Sequence, residues 1–449
     1  MSIVHSSLNH PLRVPLAAEV HSRPSLRLTA PETLTHLAVF AHADADQHVD
    51  NSALQHQTLL ALCLHFGVAG PSAEAKYFFH DFGRFRLQWE CHTEFATYTF
   101  AESQPQDWPL EEAFQHVPLR HVPESWLTSL QGTTMVAAHL VLNTATSFGA
   151  IPLPTLRGIF DGNVLVGTNA LQAAEIWTDF AIQSDGFCRF VVLDVCLSYQ
   201  QAGRLVQRVL EIETYRMMAL MGLPHAQRAT PILNGIEGEL AKLTVAMTAN
   251  DATEGGTLVA DDEQALLHKI IDLAARMEKL SLENSYRFSA STAYFKLVQT
   301  RIDDLRESRI DGAPTIAEFM DRRLAPAMST CTSIARRQHA LGDRIAHTND
   351  LLRTKVGIVQ ERQNRKILES LNTRAAHQLR LQQSVEGLSV VAISYYSIGL
   401  LSYLGKAMKA AGAPINPDVL TGVLIPVVAF AVWMGLRRLH KRMSKRAHA

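Results

Sequence analysis

Two stretches near the chain end decide the reading: Gly387–Gly405, GLSVVAISYYSIGLLSYLG, and Val419–Leu436, VLTGVLIPVVAFAVWMGL. Neither contains a charged residue, and each is about the length an α-helix needs to cross a hydrocarbon core, roughly 20 residues. Adjacent runs of this kind predict a C-terminal transmembrane hairpin over 384–449 rather than two core helices. Tyr403 and Trp433 fall near run ends, where amphipathic rings favour the membrane interface. Tyr395 and Tyr396 fall near mid-span, where their hydroxyls need partners, so they predict a helix–helix interface. Pro426 is tolerable inside a membrane helix when neighbours satisfy the freed carbonyl.

Basic residues set the orientation. The tail holds Arg437, Arg438, Lys441, Arg442, Lys445 and Arg446, whereas the segment between the runs holds only Lys406 and Lys409. The tail is therefore expected in the cytoplasm, and two spans return the N-terminal body to the same side. The start of the chain lacks a basic segment followed by an apolar run, so no signal peptide is expected there.

Upstream of the first run, nothing from Ala327 to Leu404 forces a helix to stop. Leu341, Ile345, Leu352, Val356 and Val359 make a narrow apolar stripe on an otherwise polar surface, the pattern of coiled-coil-like packing. A heptad-like series from Leu266 to Leu305 predicts a preceding helix over about 262–307. Asp311-Gly312-Ala313-Pro314 breaks the chain, and Thr315 with Glu318 is spaced as a capping box. Further helices are expected over Tyr199–Met221, stopped by Gly222 and Pro224, and over Ile232–Met247 beyond Pro231. These make a helical stalk over 198–383.

Residues 1–197 read as an α+β domain. Strand patterns occur over Leu34–His42, Ala75–Phe82, Arg84–Cys91, Glu94–Phe100, Thr134–Leu142, Asn163–Thr168, Ala173–Ala181 and Phe187–Val195. Asn51–Phe66 reads as a helix, and the spacing points to a largely antiparallel sheet whose strand order is open.

The chain has 449 residues, 47% hydrophobic and 19% charged, so it can bury a sizeable core. Its net charge of −1 gives no bulk drive toward nucleic acid. The cysteines Cys63, Cys91, Cys188, Cys196 and Cys331 show no zinc-like spacing and read as reduced thiols. Walker, G-x-G-x-x-G, G-x-S-x-G and H-E-x-x-H motifs do not occur, so no catalytic residues are assigned. His42, Asp44, Asp46, His48 and Asp50 alternate at period two and would face one side of an extended segment as ligands for zinc, manganese or iron. The competing reading is a polar turn leading to a helix cap. Cys91, His92 and Glu94, and Glu19, His21 and Arg23, are smaller polar groups, the second able to bind an anion through Arg23.

The stretches EVHSRPSL from Glu19, HTEFATYTF from His92, ETYRMMALMGLP from Glu213, TIAEFMDRRLAPAMSTC from Thr315 and SVEGLSVVAISYYSIGL from Ser384 resemble a bacterial family of uncharacterised membrane-anchored proteins. The resemblance spans nearly the whole chain and implies a protein of a bacterial inner membrane. It carries over no catalytic residue and no cofactor. The architecture is similar to that of CorA-type magnesium transporters, which implies a ring-shaped homo-oligomer. Where those proteins carry Gly-Met-Asn, this chain reads Gly405-Lys406-Ala407 and matches only the glycine. Three functions are therefore expected in order: a non-enzymatic, homo-oligomeric membrane scaffold or sensor; a divergent divalent-cation transporter with Ser394, Tyr395, Tyr396 and Ser397 lining a pore; and a metal-dependent enzyme built on His42–Asp50.

Overall fold

The computed structural model describes residues 10–13, 16–17, 24–40, 51–106, 108–130, 132–160, 164–251, 260–410 and 417–446. The elements, in chain order, are β1 (Glu32–Phe40), α1 (Asn51–His65), β2 (Tyr77–Asp81), β3 (Arg86–Cys91), β4 (Phe95–Ser103), α2 (Glu124–Thr128), β5 (Thr133–Thr144), α3 (Leu153–Ile159), β6 (Val166–Ala170), β7 (Ala174–Ile182), β8 (Cys188–Asp194), α4 (Tyr199–Leu220), α5 (Gly222–Asp251), α6 (Ala260–Leu305), β9 (Ser308–Arg309), α7 (Ile316–Ala410) and α8 (Pro417–Arg446). The protein is thus a mixed α+β chain, a sheet domain followed by long helices. It divides into two compact units, residues 1–256 with 268–348, and residues 257–267 with 349–449.

In the first unit the strands form one sheet in the order β2-β3-β4-β1-β5-β8-β7-β6-β9. The pairing is antiparallel throughout except between β5 and β8. All eight predicted strands are found, with ends shifted by a few residues. Central strands such as β1 are buried on both faces, which is why their sequences lack a clean polar alternation. One face packs α1 and α2 through Leu59, Leu62 and Trp126 onto Leu37, Val39, Trp89, Tyr98 and Phe100. The Trp126 indole donates to the Thr58 carbonyl at 2.7 Å, so this large ring is buried without orphaning its N–H.

The other face is covered by α4. Its start is a capping box: Ser198 accepts from the Gln201 backbone, and the Gln201 side chain accepts from the Ser198 backbone at 2.9 Å. Gly203 lies where the chain at Leu26 crosses the helix. A Cβ there would sit 1.7 Å from the Leu26 carbonyl oxygen, so only glycine permits the approach.

One proline expectation changes. Helix α5 begins at Gly222 and runs unbroken through Pro231, rather than restarting after it. An interior proline costs about 3 kcal/mol, and α5 offsets this by burying Ala226, Ala229, Leu233, Ile236 and Leu240 on one face. Helix α7 includes Pro326 and starts at Ile316, in the position set by Thr315. The Thr315 hydroxyl accepts from the Glu318 N–H at 3.1 Å, and the Glu318 carboxylate accepts from the Thr315 N–H at 3.3 Å, so the capping box is present as spaced.

The expected seam of α6 is buried at Ile270, Leu273, Met277, Leu280, Asn284, Phe288, Ser291, Val298, Ile302 and Leu305. Arg337 of α7 binds Glu237 of α5 at 2.9 Å, and Arg276 of α6 binds Glu239 of α5 at 2.9 Å. Along α7, Leu341, Ile345 and Leu352 are buried, but the stripe then fades, and every residue from 361 to 385 is exposed.

In the second unit, one stretch of α7 is long and apolar enough to cross a membrane by length and composition. On α8 the corresponding apolar stretch among the described residues is shorter, Gly422–Gly435.

Candidate functional site

Three strands set a polar patch on the α4 side of the sheet. In register, His36 of β1 lies opposite Thr99 of β4, which lies opposite Gln88 of β3. The next row places Ala38, Thr97 and Glu90 side by side. On α4, Gly203, Val206, Gln207, Leu210, Glu211, Thr214 and Tyr215 follow at helical spacing and so face the same way. Between the two surfaces lies a cavity of about 40 Å³, room for a few water molecules or a compact ligand. Leu26, Leu28, Leu34 and Phe95 supply its apolar walls.

The hydrogen bonds fix the state of His36. Its Nδ1 lies 2.8 Å from the Thr99 hydroxyl and its Nε2 lies 3.0 Å from the Thr214 hydroxyl. Thr214 already donates to the Leu210 carbonyl at 2.8 Å, so it accepts from His36, whose proton is on Nε2. Thr99 then donates to Nδ1. Burial favours this neutral ring and pulls the His36 pKa down to about 4, with Glu90 opposing and His92 assisting.

Beside it, the Gln88 Nε2 donates to Glu90 at 2.7 Å, while the Gln88 Oε1 is buried without a hydrogen-bond partner. Glu90 also lies 3.5 Å from the His92 Nε2. Tyr77, opposite Glu90 on the edge strand β2, has its pKa pushed up to about 12 by burial and by that carboxylate. Glu211 accepts from Gln207 at 3.0 Å and pairs with Arg301.

The sequence reading missed His36, Gln88, Glu90, Thr97 and Thr99 as a group. The available signal was polar residues at period two in β3 and β4, opposite the apolar set Leu87, Trp89, Tyr98 and Phe100.

His42, Asp44, Asp46, His48 and Asp50 lie outside the described residues, as do Glu19, His21 and Arg23. Among the described residues, no group of three or more His, Cys, Asp or Glu side chains is placed to hold a metal. His92 and Glu94 occupy the turn between β3 and β4 instead of sharing a strand face, because the His92 N–H bonds the Phe95 carbonyl at 2.8 Å and closes the hairpin. Cys91 points into the apolar core with Trp89 and Tyr98. Glu94 is buried and pairs with Arg287 and with Tyr294, both on α6.

The residues expected to line or pack the first span, Ser394, Tyr395, Tyr396 and Ser397, lie on α7. Ser394 is buried with its hydroxyl unpartnered, whereas Tyr395 and Tyr396 are 75% and 72% exposed within the chain, so the chain alone does not provide the helix contact expected of them. Leu388, Val391, Leu400 and Leu404 are also exposed. Arg437, Arg438, Lys441, Arg442, Lys445 and Arg446 all fall in the C-terminal part of α8.

The profile of the family described as "Protein of unknown function (DUF3422)" matches residues 8–443. No curated protein matches the chain. Among solved structures, the chain is similar to that titled "structure of the full-length CmaX protein", at 12% identity, over 68% of this chain and 89% of that one, with a TM-score of 0.21. A likeness that low does not equate the folds.

Proposed function

We propose, for a chain that belongs to the DUF3422 family of proteins of unknown function, that it acts as a homo-oligomeric, membrane-anchored sensor whose ligand site is the His36–Gln88–Glu90 cavity. The observation that carries the membrane part is the exposed apolar surface of α7 around Leu388, Val391, Leu400 and Leu404. A contiguous apolar surface of this kind calls for lipid or a partner. The shorter apolar stretch of α8 and the basic residues after it support a hairpin with the tail in the cytoplasm of a bacterial cell. A second copy of the chain supplies the partners that Tyr395 and Tyr396 need at mid-span. The sensor part rests on the cavity, a concave site with apolar walls and a few convergent polar groups.

Topology tests the membrane part. Ala411→Cys, placed between the two apolar stretches, is expected to react in intact cells with a membrane-impermeant maleimide applied from outside. Recovery of the protein in the soluble fraction, or labelling only after lysis, overturns the hairpin.

A further inference from the structure

We propose that β2 is the strand through which two copies of this chain join, pairing antiparallel about Phe79 so that the two sheets run on as one. This inference rests on the reading of the chain as a membrane-anchored homo-oligomer and names the surface that makes the contact.

Strand β2 ends the strand order, so only one of its sides is taken, by β3. In that antiparallel register the Lys76 carbonyl accepts from the Cys91 N–H at 2.9 Å, and the Phe82 N–H donates to the Phe85 carbonyl at 2.8 Å. Backbone groups alternate sides along a strand. The even-numbered positions therefore face β3, and the N–H and C=O groups of Tyr77, Phe79 and Asp81 face away from it. Among the described residues no other segment bonds them. An edge of this kind recruits a further strand unless proline, lysine or a bulge blocks it. The strand Tyr-Phe-Phe-His-Asp holds neither residue, and its register with β3 runs without a shift.

The strand is complementary to itself. With Phe79 opposite its own counterpart, Tyr77 falls opposite Asp81 toward each end, and Phe78 falls opposite His80 on the other face of the sheet. Phe79, 46% exposed in the single chain, then covers the same ring of the second copy. Phe78 and His80, already stacked on each other, continue their aromatic row across the junction. Cross-strand aromatic pairs of this kind stabilise a sheet. Lys76 precedes the strand and Asp81 closes it, so antiparallel pairing sets unlike charges at both ends, where parallel pairing would set like charges together. A five-residue edge is short for a dimer held by nothing else. Copies anchored in one membrane meet at high effective concentration, which makes a short edge sufficient.

The test is disulfide trapping of the full-length protein in detergent, with copper phenanthroline as oxidant and with the exposed Cys196 replaced by serine. A hydrogen-bonded antiparallel pair sets its Cα atoms about 5.5 Å apart, within the roughly 4.4–6.8 Å that a disulfide spans. Phe79→Cys is therefore expected to give a linked dimer on a denaturing gel. Tyr77→Cys and Asp81→Cys are expected to link when co-expressed. Expressed singly, each would have to bridge about four strand positions, on the order of 13 Å, and should link about fivefold less. The co-expressed pair is an independent check should Phe79→Cys misfold. Linking of Phe79→Cys without that preference reports chance collision and overturns the proposal. No linking in a protein whose mass in detergent is that of an oligomer overturns the β2 contact and leaves the homo-oligomer standing. A monomeric mass with no linking overturns both.

Discussion

The Tyr294 hydroxyl donates to the Glu94 carboxylate at 2.9 Å, joining the β3–β4 turn to a helix 200 positions further along the chain. Arg287, about two helical turns away on α6, closes on the same carboxylate, and its guanidinium lies 5.5 Å from the centre of the Phe40 ring. Burial and Glu94 together raise the Tyr294 pKa, which keeps the phenol protonated as a donor.

Removing the carboxylate leaves a guanidinium whose side chain is only 11% exposed without its counter-ion. Glu94→Ala is therefore expected to destabilise the sheet-bearing unit by about 3–5 kcal/mol. Glu94→Gln, which still accepts from Tyr294, should cost less. Chemical denaturation followed by tryptophan fluorescence checks both; equal stability of Glu94→Ala and the parent protein would remove the pair from the account of how α6 is fastened.

Stability should fall with acid. His36 and His139 are each held neutral by burial, with pKa values near 4 against an ordinary 6.5. Glu90 and His92 act on the first ring, and Asp185 and Arg189 on the second. Between those pH values the unfolded chain binds protons that the folded chain does not. The stabilisation is thus complete above pH 6.5 and is lost as pH falls toward 4, by about 1.4 kcal/mol per pH unit for each histidine. His36→Gln should flatten that slope by one proton in denaturation measured from pH 7 to pH 4.5.

The contact at Gly203 offers a paired test. Gly203→Ala drives a methyl into the Leu26 carbonyl and should cost about 1–3 kcal/mol while distorting the cavity wall. Gly238→Ala, in α5 with nothing within 4 Å of the added carbon, should be neutral or stabilise by up to about 1 kcal/mol. Thermal melts of the two variants give the comparison, and similar shifts for both would mean that Leu26 moves aside freely.

Local signals were the legible ones. Capping at Thr315 and Glu318, the apolar seam of α6 and the eight longer strands all follow from spacing within a few turns of chain. Sheet order was not legible, because the parallel β5–β8 pair and the insertion of β1 between β4 and β5 depend on contacts far apart in sequence. Proline misled at Pro231, where packing of the rest of the helix outweighed one lost hydrogen bond. The cavity was hidden for a similar reason. Gln88, Glu90, Thr97 and Thr99 look like a solvated strand face until α4 is laid over them.

The bare stretch of α7 from 361 to 385 has a biochemical consequence. A helix whose residues are all exposed is held chiefly by its internal hydrogen bonds and opens at little cost. Arg362, Arg365, Lys366, Arg374 and Arg380 fall within that stretch. Brief trypsin treatment should nick the chain there first, separating a fragment that holds the sheet from one that holds the apolar end of α7, as sizes on a denaturing gel would show.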